Sequence, residues 1–148
     1  MTATNRLRHA ILICLGLSMS LPSVAQLNFS EVTSEVGIDH HYLGINEMGA
    51  GAAFFDMDND GDEDLWLSGG LRRDALYEND GTGYFIEIGQ QAGLTATLNK
   101  VTTGVITGDL NNDGLKDVLI LTHIGFPNFI FRNLGNKKFL EMSTTGLE

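Results

Sequence analysis

Short runs of apolar residues alternate with clusters of glycine, asparagine and aspartate along most of the chain. Beyond the first 25 residues, no run repeats with the 3.6-residue period of an amphipathic helix. Short apolar runs bounded by turn residues are typical of strands. The pattern predicts an all-β fold, with strands near residues 50–55, 64–67, 75–78, 84–88, 104–107, 117–122, 128–132 and 138–142.

The same order of strands and turns occurs twice in the sequence. The aligned segments are residues 51–56 with 104–109, residues 76–81 with 130–135, and Phe-x-Glu runs at 29–32, 85–88 and 139–142. Four strands in a unit of about 53 residues are the pattern of one β-propeller blade. We therefore predict two four-stranded blades of an incomplete propeller, preceded by an extra outer strand.

The repeats divide the chain into four predicted segments. They are a signal peptide at 1–25, an N-terminal strand and linker at 26–48, a first blade at 49–100 and a second blade at 101–148. The N-terminal strand resembles only the last strand of a blade, so we expect it to close a ring. Two blades cannot form a ring, because propellers have at least four. Further blades are expected in cis, if the chain is a fragment, or in trans, if it self-assembles.

The first 25 residues have the layout of a secretory signal. Basic residues precede an apolar run at 10–21, and Ser-Val-Ala at 23–25 is a small-residue cleavage site. The run is shorter than the ~20 residues that cross a bilayer, so no stable membrane insertion is expected. Cleavage near Ala25 predicts a secreted or periplasmic protein, and it removes Cys14, the only cysteine.

The charge of the chain is strongly negative. It has 19 acidic and 9 basic residues, a formal net charge of −10. This balance disfavours nucleic acid and anionic membranes as partners. Many of the acidic residues lie in two short loops, which indicates a site for a cation.

Both loops fit the pattern D-x-[DN]-x-D-G-x-x-D. Alternate residues can turn their oxygens toward one centre, and the glycine permits a sharp backbone turn. The candidate metal ligands are Asp56, Asp58, Asp60, Asp64 and the backbone carbonyl of Asp62 in the first loop, and Asp109, Asn111, Asp113, Asp117 and the backbone carbonyl of Leu115 in the second. The alternative is a pair of solvated acidic turns, but the same spacing at one repeat interval favours metal.

An all-oxygen ligand set suits Ca²⁺, so we predict up to two calcium ions, one in each loop. An EF-hand would need glutamate at the twelfth position, where this chain has Leu67 and Ile120. The first loop offers four side-chain carboxylates. The second offers three and an amide, with Lys116 nearby, so the first loop is expected to bind calcium more tightly.

The loops and the strands beside them resemble FG-GAP and VCBS repeats, which are calcium-binding propeller blades. The order of residues 48–56, then 76–79, then 83–85, is similar to the cartilage acidic protein and ASPIC-type subgroup. The resemblance implies a propeller fold and bound calcium. Two blades are fewer than the family's usual ring, which indicates an N-terminal fragment.

We expect an exported, non-enzymatic binding or adhesion module that contacts a protein or a glycan, with calcium in a structural role. No serine has a G-x-S-x-G context, and the mature chain would have no cysteine nucleophile. Trp66 is expected to pack in the core or between blades and not to form a sugar platform. The alternatives are a fragment of a propeller-scaffold polysaccharide-active enzyme and a lectin-like subunit that assembles into a ring.

Overall fold

The structure is a computed structural model, and it describes residues 27–45 and 49–142. The chain divides into two compact units, residues 1–30 and 31–148, and the sheets lie in the second. The predicted signal peptide lies outside the described residues. Within them, no helix has the length and apolar character needed to cross a membrane.

Eight strands form two antiparallel four-stranded sheets, so the all-β prediction is confirmed. The first sheet contains β1 (Ala52–Phe55), β2 (Asp64–Leu67), β3 (Ala75–Asn79) and β4 (Phe85–Glu87), and the second contains β5 (Thr102–Gly108), β6 (Asp117–Thr122), β7 (Phe129–Asn133) and β8 (Phe139–Met142). In both sheets, strands adjacent in sequence are adjacent in space. This is the arrangement expected for two propeller blades.

Two short elements differ from the predicted pattern. Helix α1 (Gly89–Ala92) was not predicted, because one turn is too short to show a helical period. It ends at Gly93, which has a φ of 100°. Residues 27–32 are not in a strand. Their pairing with a closing blade stays a prediction.

The two sheets share a core built from one face of each. Trp66 and Leu76 of the first sheet are fully buried against Val118, Ile120 and Phe131 of the second. The Trp66 and Phe131 ring centroids lie 5.6 Å apart. Burial of large side chains at this interface holds the sheets together, since hydrophobic burial stabilises by roughly 25 cal/mol per Å² of apolar surface. The prediction that Trp66 packs in the core or between blades is confirmed.

The other face of the first sheet is closed by residues 36–43, which we name the cover segment. The backbone N–H of Phe85 donates to the Val36 carbonyl at 2.8 Å, and the N–H of Asp39 donates to the Tyr77 hydroxyl at 3.3 Å. Ile38 packs on this face, against the cluster that contains Leu65 and Tyr77. The cover segment therefore lies where a preceding blade would lie.

The other face of the second sheet is open among the described residues. Strand register places Ile106 beside Leu119, Leu119 beside Ile130, and Ile130 beside Met142, so one apolar row crosses all four strands. Ile106 is 54% exposed and Met142 is 41% exposed. We name these four residues the apolar row.

Candidate metal centre

The first acidic loop connects β1 to β2, and strand pairing brings its two ends together. Phe55 lies opposite Asp64 in the register, so Asp56 and Asp64 are neighbours. Asp64 is buried, and its carboxylate accepts the backbone N–H groups of Met57 and Asn79, each at 2.9 Å. It therefore ties the start of the loop to β3.

Asp56 organises the middle of the same loop. Its two carboxylate oxygens accept the backbone N–H groups of Asp60, at 3.2 Å, and Gly61, at 3.0 Å. Asn59 and Gly61 have positive φ angles of 60° and 99°, which glycine and asparagine tolerate best. These conformations curl the loop back toward Asp56.

Three carboxylates of the first loop meet at one point. Each of Asp56, Asp58 and Asp64 has an oxygen that lies within 4.8 Å of those of the other two. The Oδ1 atom of Asp58 is buried and has no hydrogen-bond partner among the described residues. A buried, unpaired carboxylate oxygen is costly, and a bound cation removes that cost. The donor set fits a hard divalent cation.

Electrostatics at Asp64 point the same way. Burial raises the pKa of this carboxyl to about 6, and the negative charges of Asp58 and Asp60 act in the same direction. The backbone N–H groups of Met57 and Asn79 oppose the shift. Asp64 thus lies where an added positive charge would be favourable.

The structure brings together three of the five residues predicted in the first loop. Asp60 is exposed, and its Oδ1 atom accepts the N–H of Asp62 at 3.0 Å. Neither Asp60 nor Asp62 is in the group of three carboxylates. Their roles as ligands stay predictions.

The second loop, between β5 and β6, repeats the frame of the first. Asp117 is buried and accepts the N–H groups of Leu110, at 3.0 Å, and Asn133, at 2.8 Å. Asp109 accepts those of Asp113, at 3.1 Å, and Gly114, at 2.9 Å. In the alignment of the two blades, Asp117 corresponds to Asp64 and Asp109 corresponds to Asp56.

The charges around the second loop differ from those around the first. The amide of Asn111 donates to the Oδ2 atom of Asp113 at 2.8 Å, and Arg132 lies 3.5 Å from the same atom. The backbone N–H of Leu115, the Asn111 amide and the Arg132 guanidinium lower the pKa of Asp113. This loop therefore neutralises part of its charge with its own blade, and its ligand roles, including that of the Leu115 carbonyl, stay predictions.

A lysine that the sequence did not indicate contacts the first loop. Lys137, in the hairpin between β7 and β8, places its Nζ atom 3.2 Å from the Oδ2 atom of Asp58. The same ammonium donates to the Glu78 carboxylate. The hydrogen bond to Glu78, followed by that to Asp58, raises the pKa of Lys137. Lys116, the basic residue noted in the sequence, is exposed.

Two amides join the two loops to each other. Asn133 donates from Nδ2 to the Met57 carbonyl at 2.7 Å and to the Lys116 carbonyl at 3.2 Å. Asn59 donates from Nδ2 to the Gly114 carbonyl at 3.2 Å. The contacts of Asn133 with Met57 and of Asn59 with Gly114 cross between blades, so no local pattern in the sequence could have revealed them. The loops therefore form one connected edge of the molecule.

Comparison with protein families agrees with this architecture. A family described as FG-GAP-like repeat matches residues 56–120. The match supports the FG-GAP family for this part of the chain. It begins at the first aspartate of the first loop and ends within β6, so the repeat contains both acidic loops. A comparison with the curated proteins gave no match.

Proposed function

We propose that this chain is a calcium-binding FG-GAP propeller module with a binding role and no catalytic role. The observation that carries the proposal is the meeting of Asp56, Asp58 and Asp64, with one oxygen of Asp58 buried and unpaired. Carboxylate oxygens are the ligands that Ca²⁺ prefers in proteins. No such group of three lies elsewhere among the described residues.

Calcium in the first loop would be held by the carboxylates of Asp56, Asp58 and Asp64, with Asp60 and the Asp62 carbonyl as further candidates. When bound, it would offset the repulsion between these carboxylates. The protein itself supplies the frame, since backbone N–H groups already orient Asp56 and Asp64. Metal binding would then stabilise the folded chain, because the unfolded chain has no preformed site.

The second loop is proposed as a weaker calcium site. Asp109, Asn111, Asp113, Asp117 and the Leu115 carbonyl would hold the ion. Asn111 replaces a carboxylate with a neutral amide, and Arg132 already pairs with Asp113. Fewer negative ligands lower calcium affinity, and this is the difference between the loops, since each has one cation nearby.

Further blades are the partners that the open face of the second sheet supports. Leu119 and Ile130, in the apolar row, occupy the repeat positions of Trp66 and Leu76, which are buried between the two sheets. A further blade on the apolar row would repeat that interface. A second copy of this chain offers a less suitable surface. The face of its first sheet that would pack on the apolar row is closed by the cover segment. We therefore favour a blade in cis over a ring of identical subunits.

We further propose that the module is exported and that it binds a protein or glycan ligand. Export rests on the signal-like residues 1–25, and the binding role rests on the FG-GAP match. The order of residues 48–56, 76–79 and 83–85 favours the ASPIC-type subgroup. A screen of the folded protein against glycan and extracellular protein arrays tests the binding role.

Calorimetric titration with Ca²⁺ tests the metal proposal. The wild type should bind up to two ions, and Asp58→Asn should weaken the tighter site. Asp80→Asn is the matched control, because Asp80 is an exposed aspartate in the β3–β4 hairpin and lies outside both loops. Equal heats for the wild type and Asp58→Asn, or no calcium binding at all, would overturn the proposal.

Native mass spectrometry tests the source of the further blades. A chain that needs blades in cis should be a monomer or an aggregate without a defined number of copies. A discrete closed oligomer would instead support assembly in trans.

A further inference from the structure

Lys137 is supplied to the first loop by the neighbouring blade. Its ammonium lies between Asp58, 3.2 Å away, and Glu78. The side chain of Asp58 is only 14% exposed, and that of Glu78 is 24% exposed. Two partly buried carboxylates thus share one cation from the following sheet.

The two oxygens of Asp58 have different surroundings. Oδ2 faces Lys137, and Oδ1 is buried and has no hydrogen-bond partner among the described residues. Asp58 therefore has one oxygen available for a metal and one that already contacts a positive charge. The ammonium and a metal at this loop would interact with the same carboxylate.

We propose that Lys137 sets the calcium affinity of the first loop by acting as a built-in competing cation. The inference rests on the proposed function. Without metal, Lys137 partly neutralises Asp58 and Glu78 and holds the two sheets together at this edge. With metal, its charge repels the ion, so the loop binds calcium more weakly than its carboxylates alone would. Docking of the second blade and metal binding in the first are thereby coupled.

The two blades differ at this position. In the first blade, the hairpin residue that corresponds to Lys137 is Gly83, and the residue that corresponds to Glu78 in the second blade is Arg132. The cation at the first loop is therefore supplied across the interface, whereas the cation at the second loop comes from its own sheet. Among the described residues, only the first loop therefore contacts a cation from the next blade.

The size of the effect follows from charge alone. Even at the dielectric constant of water, charges of +1 and +2 separated by roughly 6 Å repel by an amount equal to about tenfold in affinity. The partly buried surroundings of Asp58 increase this repulsion. Removal of the lysine charge should therefore tighten calcium binding at the first loop about tenfold or more.

The experiment compares Lys137→Gln and Lys137→Gly with the wild type in two measurements. Glycine suits the backbone here, because Lys137 has a φ of 60°. Calorimetry gives the Ca²⁺ affinity, and thermal unfolding in a chelator gives the metal-free stability. Lys138→Gln is the control, since the adjacent Lys138 donates to the Gln91 carbonyl and does not contact the loop. Lys137→Arg keeps the charge and should leave the affinity near that of the wild type.

We expect the two uncharged variants to bind calcium about tenfold more tightly and to unfold at a lower temperature in chelator. A purely structural lysine would lower the unfolding temperature equally with and without calcium. Unchanged or weaker calcium binding in both variants would overturn the role of Lys137. If neither the wild type nor any variant binds calcium, the proposed function fails as well. Calcium binding by the wild type therefore distinguishes failure of the Lys137 proposal from failure of the proposed function.

Discussion

The two blades have the same backbone frame but different charges. In each, the first aspartate of the loop accepts two N–H groups from within the loop, and the last accepts one from the loop and one from β3 or β7. The residues around that frame differ in charge. Asp58, Glu78 and Asp74 in the first blade correspond to Asn111, Arg132 and Asn128 in the second.

The shape of each loop and the charge around it therefore have different origins. The hydrogen-bond frame that the two loops share depends on aspartates at the first and last positions of each loop. The charge around the frame depends on neighbours in other strands and in the other blade, such as Lys137 and Arg132. Two loops with one motif can therefore have the same shape, and we expect them to have different metal affinities.

The largest effect is expected from removal of the aspartate that closes each loop. Asp64→Ala and Asp117→Ala each leave two backbone N–H groups without an acceptor, which should lower the free energy of unfolding by about 3 kcal/mol. Urea unfolding in chelator measures this cost without any contribution from metal. Similar losses in the two variants would support a shared frame, and a loss in only one would break the comparison.

Glu141→Ala is the control for this pair, because Glu141 is exposed on β8. Its free energy of unfolding should stay within about 0.5 kcal/mol of the wild type.

A smaller but unequal effect is expected from the asparagines at the end of β3 and β7. Asn133 is 1% exposed, and it donates to the Met57 and Lys116 carbonyls, whereas Asn79 is half-buried and donates to the Glu63 carbonyl. Asn133→Ala should destabilise by about 2 kcal/mol and Asn79→Ala by about 1 kcal/mol. Thermal or urea unfolding of both variants measures the difference. Equal losses in the free energy of unfolding would show that the hydrogen bond from Asn133 to Met57 adds no stability.

The third position of each loop is Asp58 in the first blade and Asn111 in the second, and a change of its charge should change calcium affinity. Asn111→Asp should tighten calcium binding at the second loop about tenfold, because it adds a carboxylate to the ligand set. Asp58→Asn should weaken the first loop by a similar factor. Calorimetry on each variant measures both affinities. Unchanged affinities in both would mean that this position does not contact the ion.

The smallest effect concerns pH and the buried acid Asp74. Its carboxylate accepts the Trp66 indole N–H at 3.0 Å and the Gly69 N–H at 2.9 Å, and burial raises its pKa. In the second blade, the neutral Asn128 accepts the Thr122 N–H at 3.0 Å in the same place. As pH rises above about 4, Asp74 loses its proton more readily in the unfolded chain than in the fold.

The stability of the wild type relative to Asp74→Asn should therefore be greatest below about pH 4 and fall as pH rises through the elevated pKa of Asp74. Urea unfolding of both proteins at several pH values measures this difference. A difference that grows with rising pH would contradict the predicted sign.

The sequence by itself determined the local features of this protein. Apolar runs and turn residues predicted the eight strands, and the repeat predicted two blades. The D-x-[DN]-x-D-G-x-x-D spacing predicted both loops. These features depend on residues near one another in the chain, such as Asp56 and Gly61, so a linear pattern contains them. Helix α1 is the exception, because one turn has no period.

Only the tertiary structure decided which groups from distant segments meet. Lys137 reaches Asp58, Asn133 reaches Met57, and the cover segment closes one face, while no described residue covers the apolar row. Such contacts depend on how one sheet packs against another, and side chains from separate blades have no fixed spacing in the sequence. The sequence therefore determined the shape of each loop, and packing within and between the blades determined which cation lies beside it.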